Sequence, residues 1–200
     1  MNLVTASPKK FFDKKIRHIA SCQKILDVGG GSRFQKQLKP YEDLFKGKNY
    51  VCIDADPSYN PDVVGDVHSL PFDDASFDAI LCHSVLEHTK QPFQVMDEIY
   101  RVLRPRGLAL LYVPFLYPYH GGGSYLDYWR FSRDGIEILC QKFSSLEICA
   151  ARNFFEAWFY LLPQQINPPL VWFGRKMDEL LKTHKQRTQQ TSGWYFFVQK

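Results

Sequence analysis

A glycine cluster directly follows an acidic residue in the first part of the chain. The segment ILDVGGGSR, residues 25–33, places Asp27 two residues before Gly29, Gly30 and Gly31. Glycines let the backbone approach a ligand closely because no Cβ intervenes, and a helix starting there would offer free N–H groups. The segment predicts a ligand-binding turn in which Asp27 meets a cationic group. The alternative is a tight strand-to-helix turn with a solvent-facing carboxylate.

Two more carboxylates stand at the ends of apolar runs. Asp54 closes YVCID, and Asp66 closes VVGD. A carboxylate after the second strand of a nucleotide-binding sheet accepts the hydroxyls of a ribose, and Asp66 could accept the exocyclic amine of adenine. The alternative for CIDADPS is an ordinary turn, where Asp and Pro are common. The sequence separation between Asp54 and the glycine cluster favours the interpretation as a nucleotide-binding site.

An α/β sheet is needed to bring these residues together. Nearly all-apolar runs alternate with helical segments, which is typical of strands buried on both faces of a parallel sheet. A helix is predicted over 92–103, because apolar residues recur there at helical spacing. A second helix is predicted from Ser132, which can cap it, to Phe143. The predicted strands are 24–28, 50–54, 63–66, 77–82, 108–113, 146–151 and 193–199.

Length and composition exclude several classes of protein. The chain has 200 residues, of which 45% are hydrophobic and 23% charged, as expected for a single globular domain over 1–200 rather than a disordered chain. A net charge of +4 is too small to indicate nucleic-acid binding. Five scattered cysteines with no CxxC pair predict a reducing compartment, and no metal site is expected. No signal peptide or membrane span is evident, so we expect a cytoplasmic protein.

The ordered set of motifs resembles the class I S-adenosylmethionine-dependent methyltransferases, especially the type 11 group. The resemblance covers roughly residues 24–150. The motifs taken together and in this order are specific to the family, whereas each motif alone is not. It implies a Rossmann-like, seven-stranded, mostly parallel sheet with helices on both faces and an antiparallel last strand. The matching segments are LDVGGG, VCIDAD, GDVHSLPFDDASFDAI, HSVLEH and EIYRVLRPRGLALLYVPF.

The resemblance also implies the cofactor, S-adenosyl-L-methionine, and its product, S-adenosyl-L-homocysteine. The methionine part would lie at the glycine turn with His83 beside it, the ribose after the second strand and the adenine after the third. The implied cofactor-binding residues are Asp27, Gly29, Gly30, Gly31, Asp54, Ala55, Asp66, Val67 and His83.

Departures from the family pattern leave two alternatives open. Arg33 stands where the family has a third glycine, and Gly30 stands where Cys or Ser is more usual. A non-catalytic cofactor-binding or scaffolding subunit would keep the sheet without turnover. An NAD(P)-dependent oxidoreductase would use Gly29-x-Gly31 as the start of its fingerprint, but that fingerprint needs a small residue where Phe34 stands.

The expected reaction is methyl transfer to a small-molecule, lipid-linked or saccharide-linked acceptor, at an oxygen atom. A general base would then assist, and the loop after the fifth strand, residues 114–131, is expected to form a flap over the site. His120 and Tyr128 are the predicted catalytic residues, with Asp127 and Arg130 nearby in sequence. The alternative is that His120 is an ordinary loop histidine and Tyr128 a packing residue.

Two segments outside the motif region are amphipathic or aromatic. Residues 1–23 combine lysines with Phe11, Phe12 and Ile16, and residues 153–185 form a helical insertion before the last strand, rich in aromatic residues and interrupted by Pro163, Pro168 and Pro169. Such helices can lie on a membrane surface. The alternative is that they cover the sheet, and peripheral membrane contact is therefore a hypothesis.

Overall fold

The structure is a computed structural model that describes residues 2–3, 7–123, 125–162, 166–181 and 190–200. Its strands form one sheet in the order β1-β7-β8-β6-β5-β2-β3-β4. The strands are β1 (Asn2–Leu3), β2 (Lys24–Val28), β3 (Asn49–Asp54), β4 (Val63–Val64), β5 (Phe77–His83), β6 (Leu103–Pro114), β7 (Ser145–Ala150) and β8 (Gly193–Gln199).

The predicted fold class is confirmed. All seven predicted strands are present, and β8 alone runs antiparallel to its neighbours β6 and β7. The short strand β1, which the sequence analysis did not anticipate, extends the edge by pairing in parallel with β7. Because β2 pairs with β3 on one side and β5 on the other, the strand order reverses there, which is where open α/β sheets bind ligands.

Helices cover both faces of the sheet, and each face has its own core. α2 and α3 pack on one face through Met96, Ile99 and Ile136, while α1 packs on the other. The α-helices are α1 (Pro8–Ala20), α2 (Pro92–Val102), α3 (Arg133–Leu139), α4 (Phe154–Tyr160) and α5 (Asn167–Leu181). Among the described residues, no helix combines the length and hydropathy that a membrane span requires.

The apolar face of the N-terminal helix is buried inside the protein. Phe11, Phe12 and Ile16 of α1 contribute to the core on one face of the sheet, and Lys15 lies over the ring of Phe197. The helix is amphipathic as predicted, although Met1 and residues 4–6 lie outside the described part. Since these aromatic side chains already pack on the sheet, the structure favours the alternative that this segment covers the sheet.

Several predicted boundaries need correction. The turn after β2 leads into a 3₁₀ helix, Lys36–Phe45, and not into an α-helix. Arg33 and Phe34 both adopt positive φ angles, and Pro40 lies inside the 3₁₀ segment, where it lacks an N–H donor. α3 ends at Leu139, four residues short of the prediction, although Ser132 caps it by accepting a hydrogen bond from the Gly135 amide at 3.1 Å.

The predicted insertion consists of two packed helices. Pro168 and Pro169 lie in the first turn of α5, where a missing N–H does no harm, so they start this helix instead of breaking it. The buried carboxylate of Asp178 in α5 accepts hydrogen bonds from the amides of Phe155 and Glu156 at the start of α4. Residues 163–165 and 182–185 of this prediction lie outside the described residues.

Candidate active site

One cleft of about 2300 Å³ runs along the carboxyl ends of the parallel strands. The residues predicted to bind the cofactor follow β2, β3, β4 and β5, and the segment after β6 forms part of the opposite wall. The sheet therefore brings together all the predicted site residues, and their roles remain predictions. The lining includes Asp27, Gly29, Gly30, Gly31, Asp54, Ala55, Asp66, Val67, His83, His120 and Tyr128.

The glycine turn has a conformation that other residues would resist. Gly29 and Gly31 have φ angles of +66° and +55°, in the left-handed region. A Cβ on Gly29 would lie 2.5 Å from a methyl carbon of Val85, and a Cβ on Gly31 would lie 2.6 Å from the amide nitrogen of Gln35. The turn is thus a stretch of backbone without side chains, which a ligand could approach closely.

Asp27 lies beneath this turn and is almost fully buried. Its carboxylate accepts a hydrogen bond from the hydroxyl of Tyr50 at 2.5 Å. Burial raises the pKa of Asp27 to about 7; the Tyr50 hydrogen bond opposes the shift, Asp54 adds to it and Arg33 opposes it. Asp27 is therefore a carboxyl group whose charge depends on what approaches it near neutral pH.

Gly30 leaves no room for the side chain that is more usual in the family. A Cβ there would lie 2.3 Å from an Asp27 carboxylate oxygen and 2.8 Å from the sulfur of Cys52. We expect Gly30→Ala to lower the free energy of unfolding by about 1–3 kcal/mol, the usual effect of overpacking. Urea unfolding measures this. Gly122→Ala is the control because nothing lies within 4 Å of its Cβ; equal losses in the two variants would contradict the clash.

Asp54 connects the end of β3 to the glycine turn. One carboxylate oxygen accepts from the Gly31 amide at 2.9 Å, and the other accepts from the Asp56 amide at 3.0 Å. Behind the turn, Arg33 forms an ion pair with Asp62. Asp54 thus fixes the bare backbone while its carboxylate lines the cleft, and the Arg33 side chain is held by Asp62.

Asp66 and Val67 follow β4 at the far end of the cleft. The Asp66 carboxylate is exposed and accepts from the His68 amide at 2.9 Å, while the His68 ring nitrogen Nδ1 lies 2.6 Å from the same oxygen. These hydrogen bonds with His68 lower the pKa of Asp66. Val67 is buried in the core of one sheet face. A negative carboxylate therefore stands beside an apolar surface.

His83 ends β5 in a cluster of aromatic rings. Its ring stacks on Tyr112 with the centroids 4.7 Å apart. Its Nε2 atom lies 3.2 Å from the amide oxygen of Gln37, which also accepts a hydrogen bond from the hydroxyl of Tyr195 at 2.8 Å. The sequence analysis did not single out Gln37 or Tyr195, since they lie 46 and 112 residues from His83 and no motif connects them.

The predicted catalytic histidine is held by an aspartate. The His120 amide donates to the carboxylate of Asp127 at 2.9 Å, and Nδ1 of its ring lies 3.2 Å from the same oxygen. Arg130 binds both carboxylate oxygens of Asp127, one of them at 2.6 Å. The Arg130 hydrogen bonds keep the pKa of Asp127 well below its usual range. The ring of His120 is thus oriented by an ionised, immobilised carboxylate.

Glu87 is a buried carboxyl group that the sequence analysis used only as part of a motif. Its side chain is 1% exposed, and burial, the largest influence, raises its pKa to about 8. The backbone carbonyl of Glu87 accepts hydrogen bonds from the amides of Tyr128 and Trp129 at 2.8 and 3.2 Å. These bonds attach the segment after β6 to the segment after β5. The exposed Tyr128 therefore lines the cleft from a fixed backbone position.

A Rossmann-like sheet with an acidic, glycine-lined cleft at its switch point is typical of α/β proteins that bind nucleotide-like ligands. Residues 26–111 match the family described as "Methyltransferase domain". Residues 26–111 therefore resemble that family, and the resemblance to the type 11 group is confirmed.

A protein of Mycolicibacterium vanbaalenii named "Uncharacterized methyltransferase" is 32% identical over 133 residues, which are 59% of this chain and 50% of that protein. A second protein of the same name from Mycolicibacterium gilvum is 36% identical over 110 residues, 48% of this chain and 42% of that one. The chain thus spans about half the length of these curated relatives.

The fold is shared with solved structures of low sequence identity. The crystal structure of a SAM dependent methyltransferase from Archaeoglobus fulgidus aligns with a TM-score of 0.61 and 14% identity, over 98% of this chain and 95% of that one. The [4+2]-cyclase SpnF aligns with a TM-score of 0.56 and 17% identity, over 98% and 84%. Since proteins named for different reactions share this fold, the likeness shows the fold alone.

Proposed function

We propose that this protein transfers a methyl group from S-adenosyl-L-methionine to a hydroxylated small molecule, free or lipid- or saccharide-linked. The observation that carries the proposal is the convergence of three carboxylates, Asp27, Asp54 and Asp66, with the bare backbone of residues 29–31 in one cleft. Ribose hydroxyls, an exocyclic amine and a cationic group are the partners that such carboxylates recognise.

The glycine turn is the part of this structure that shows whether the cofactor could fit. Gly29 and Gly31 line the cleft in left-handed conformations that side chains resist, so the backbone itself is accessible to a ligand there. Asp54 would bind the ribose, Asp66 and Val67 would hold the adenine, and Asp27 and His83 would face the methionine part. When bound, S-adenosylmethionine supplies an electrophilic methyl group on a sulfonium.

The protein's own contribution is to position the acceptor and to manage one proton. Orientation of two reactants supplies up to about 7–11 kcal/mol in well-aligned cases. His120, oriented through Asp127, is proposed to activate the acceptor hydroxyl at Nε2, and Tyr128 to contact the acceptor from the same wall. Both residues stand on the segment that Glu87 attaches to the edge of the cleft.

Two measurements test the proposal. Calorimetry is expected to show binding of S-adenosylmethionine and S-adenosylhomocysteine, and incubation with a panel of hydroxylated acceptors is expected to release S-adenosylhomocysteine. Binding without release for any acceptor class would favour the non-catalytic subunit. Binding of NADH, with no competition by S-adenosylhomocysteine, would favour the oxidoreductase.

The pH dependence of cofactor binding is expected to follow Asp27. A cationic ligand favours the ionised carboxylate, so below the pKa of about 7 binding must expel a proton. The Kd of S-adenosylmethionine should therefore rise as pH falls from 7 to 5, by up to about tenfold per pH unit. Calorimetric titration across this range measures it.

Asp27→Asn is the matched variant for this dependence. It keeps the size of the side chain and should remove most of the slope. Tyr50, Cys52, Asp54 and Arg33 face Asp27 and are present in both proteins. An unchanged slope in Asp27→Asn would show that Asp27 does not meet the cationic part of the ligand.

Peripheral membrane contact now depends on the pair formed by α4 and α5 alone. Trp158, Trp172 and Phe173 are 49%, 60% and 49% exposed there. The basic residues of α5 that could meet lipid headgroups already form ion pairs, Arg175 with Glu156 and Lys176 with Glu179. Flotation with anionic liposomes tests the remaining contact, and protein that stays at the bottom of the gradient would end the hypothesis.

A further inference from the structure

Glu87 and two histidines from separate segments of the chain place three potential metal ligands together. The carboxylate oxygen Oε1 of Glu87 lies 4.0 Å from Nε2 of His88 and 3.9 Å from Nε2 of His120. One ligand atom from each residue lies within 4.8 Å of the other two. The two imidazole rings meet edge to face, with centroids 4.9 Å apart.

The hydrogen bonds on the far side of each ring determine which nitrogen faces the carboxylate. Nδ1 of His88 lies 2.7 Å from the carbonyl oxygen of Leu126, and Nδ1 of His120 lies 3.2 Å from both the Pro118 carbonyl and the Asp127 carboxylate. These oxygens only accept hydrogen bonds, so each Nδ1 must carry the proton. In the neutral rings the Nε2 lone pairs therefore point toward Glu87.

This arrangement has the outer partners that metal-binding histidines require. A ligating histidine almost always donates its other N–H to a carbonyl or carboxylate, which orients the ring and raises its basicity. Here Leu126 and Pro118 provide carbonyls, and Asp127 provides a carboxylate that Arg130 holds through both oxygens.

The carboxyl group of Glu87 supplies an independent indication of a ligand. It is 1% exposed, and its second oxygen, Oε2, has no hydrogen-bond partner among the described residues. A buried polar atom without a partner is unfavourable, and a cation between the carboxylate and the two lone pairs would remove the penalty.

We propose that Glu87, His88 and His120 bind a divalent first-row transition-metal cation such as Zn²⁺. Two imidazole nitrogens and one carboxylate oxygen are ligands that suit these cations better than Mg²⁺ or Ca²⁺. Ligand atoms about 2.0–2.2 Å from such an ion are roughly 3–3.5 Å apart. Small side-chain rotations would close the observed 3.9 and 4.0 Å separations. The site replaces our expectation from sequence that no metal is bound.

Three protein ligands leave coordination positions open on the cleft side. All three residues line the same cleft as the glycine turn. A bound cation would coordinate the oxygen of the acceptor and lower the pKa of its hydroxyl, whose proton would pass to the solvent in the open cleft. His120 would then activate the acceptor through the ion instead of taking the proton itself. This second role rests on the proposed methyl transfer; the binding of the cation does not.

Metal titration of the chelator-stripped protein tests the site without cofactor or acceptor. We expect one equivalent of Zn²⁺ by calorimetry, a visible ligand-field spectrum with Co²⁺ that Zn²⁺ displaces, and much weaker binding of Mg²⁺. Glu87→Gln, His88→Asn and His120→Asn should each weaken Zn²⁺ binding by at least about 100-fold, since even the outer partners of ligands contribute 10- to 100-fold.

Matched variants distinguish this site from others. His18→Asn removes an exposed imidazole that lies outside the cleft and should leave Zn²⁺ binding unchanged. Asp127→Asn should weaken binding by about 10- to 100-fold while leaving the three ligands in place; circular dichroism verifies that each variant is folded. Absence of Zn²⁺ binding in the wild type, or wild-type affinity in the three ligand variants, would overturn the proposal. Metal binding without methyl transfer would refute only the proposed function.

Discussion

Asp54→Asn is expected to weaken S-adenosylmethionine binding by about 100-fold. The carboxylate is proposed to accept hydrogen bonds from the ribose, and each hydrogen bond to a charged group contributes about 1.5–3 kcal/mol. The carboxylate also accepts a hydrogen bond from the Gly31 amide at 2.9 Å. In the variant, either the NH₂ group of the asparagine or its amide oxygen, a weaker acceptor, would face the glycine turn. A change of 100-fold corresponds to about 2.7 kcal/mol. Isothermal titration calorimetry of cofactor and product measures both constants.

Asp73→Asn is the matched control for this variant. It makes the same change of charge at an exposed turn residue that does not line the cleft. We expect its cofactor affinity to equal that of the wild type. If Asp54→Asn also binds with wild-type affinity, the cofactor is not held at the end of β3, and the proposed function loses its main support.

His120→Asn is expected to lower kcat by about 10²- to 10⁴-fold, the range contributed by a positioned acid–base group. The same loss is expected whether His120 takes the acceptor's proton or holds a cation that activates it, because either role uses Nε2. The Kd of S-adenosylmethionine should stay nearly unchanged, since the ring stands on the segment after β6 and not at the glycine turn. Steady-state release of S-adenosylhomocysteine with an accepted substrate measures kcat.

Addition of metal separates the two roles of His120. If a cation activates the acceptor, chelation should depress the wild-type kcat and Zn²⁺ or Mn²⁺ should restore it, while His120→Asn responds to neither. His18→Asn provides the comparison for loss of an imidazole in general and should retain the full kcat. Full activity in His120→Asn would remove this residue from the chemistry.

Burial on both faces made the strands predictable. Strands that are buried on both faces of an α/β sheet contain nearly continuous apolar runs, so KILDV and GWYFFVQ were located at the bounds the structure has, 24–28 and 193–199. The 3₁₀ helix that follows the glycine turn, Lys36–Phe45, was not predicted, because Arg33 and Phe34 occupy left-handed conformations that a sequence pattern does not reveal. The rings of Phe45 and Tyr50 pack on Phe34, and this tertiary contact accompanies that conformation.

The proline pair of the C-terminal region illustrates the same limit. Prolines end a helix when they stand in its interior but are tolerated in its first turn. The start of α5 could not be located from the sequence, so Pro168 and Pro169 were interpreted as interrupting a helix. The structure places both prolines in the first turn of α5. The buried Asp178, which caps α4 from α5, is a contact across 22 residues and leaves no local signal.

The amino-acid sequence by itself determined the fold class and the grouping of the three carboxylates in one cleft, because each of them follows its own strand and parallel strands end at one edge. Only the tertiary structure decided the other side. Glu87 and His88 are neighbours in the chain, but His120 lies 32 residues further on and reaches them because the Glu87 carbonyl binds the Tyr128 and Trp129 amides. Contacts of that kind depend on how two loops fold against each other, which no spacing rule encodes.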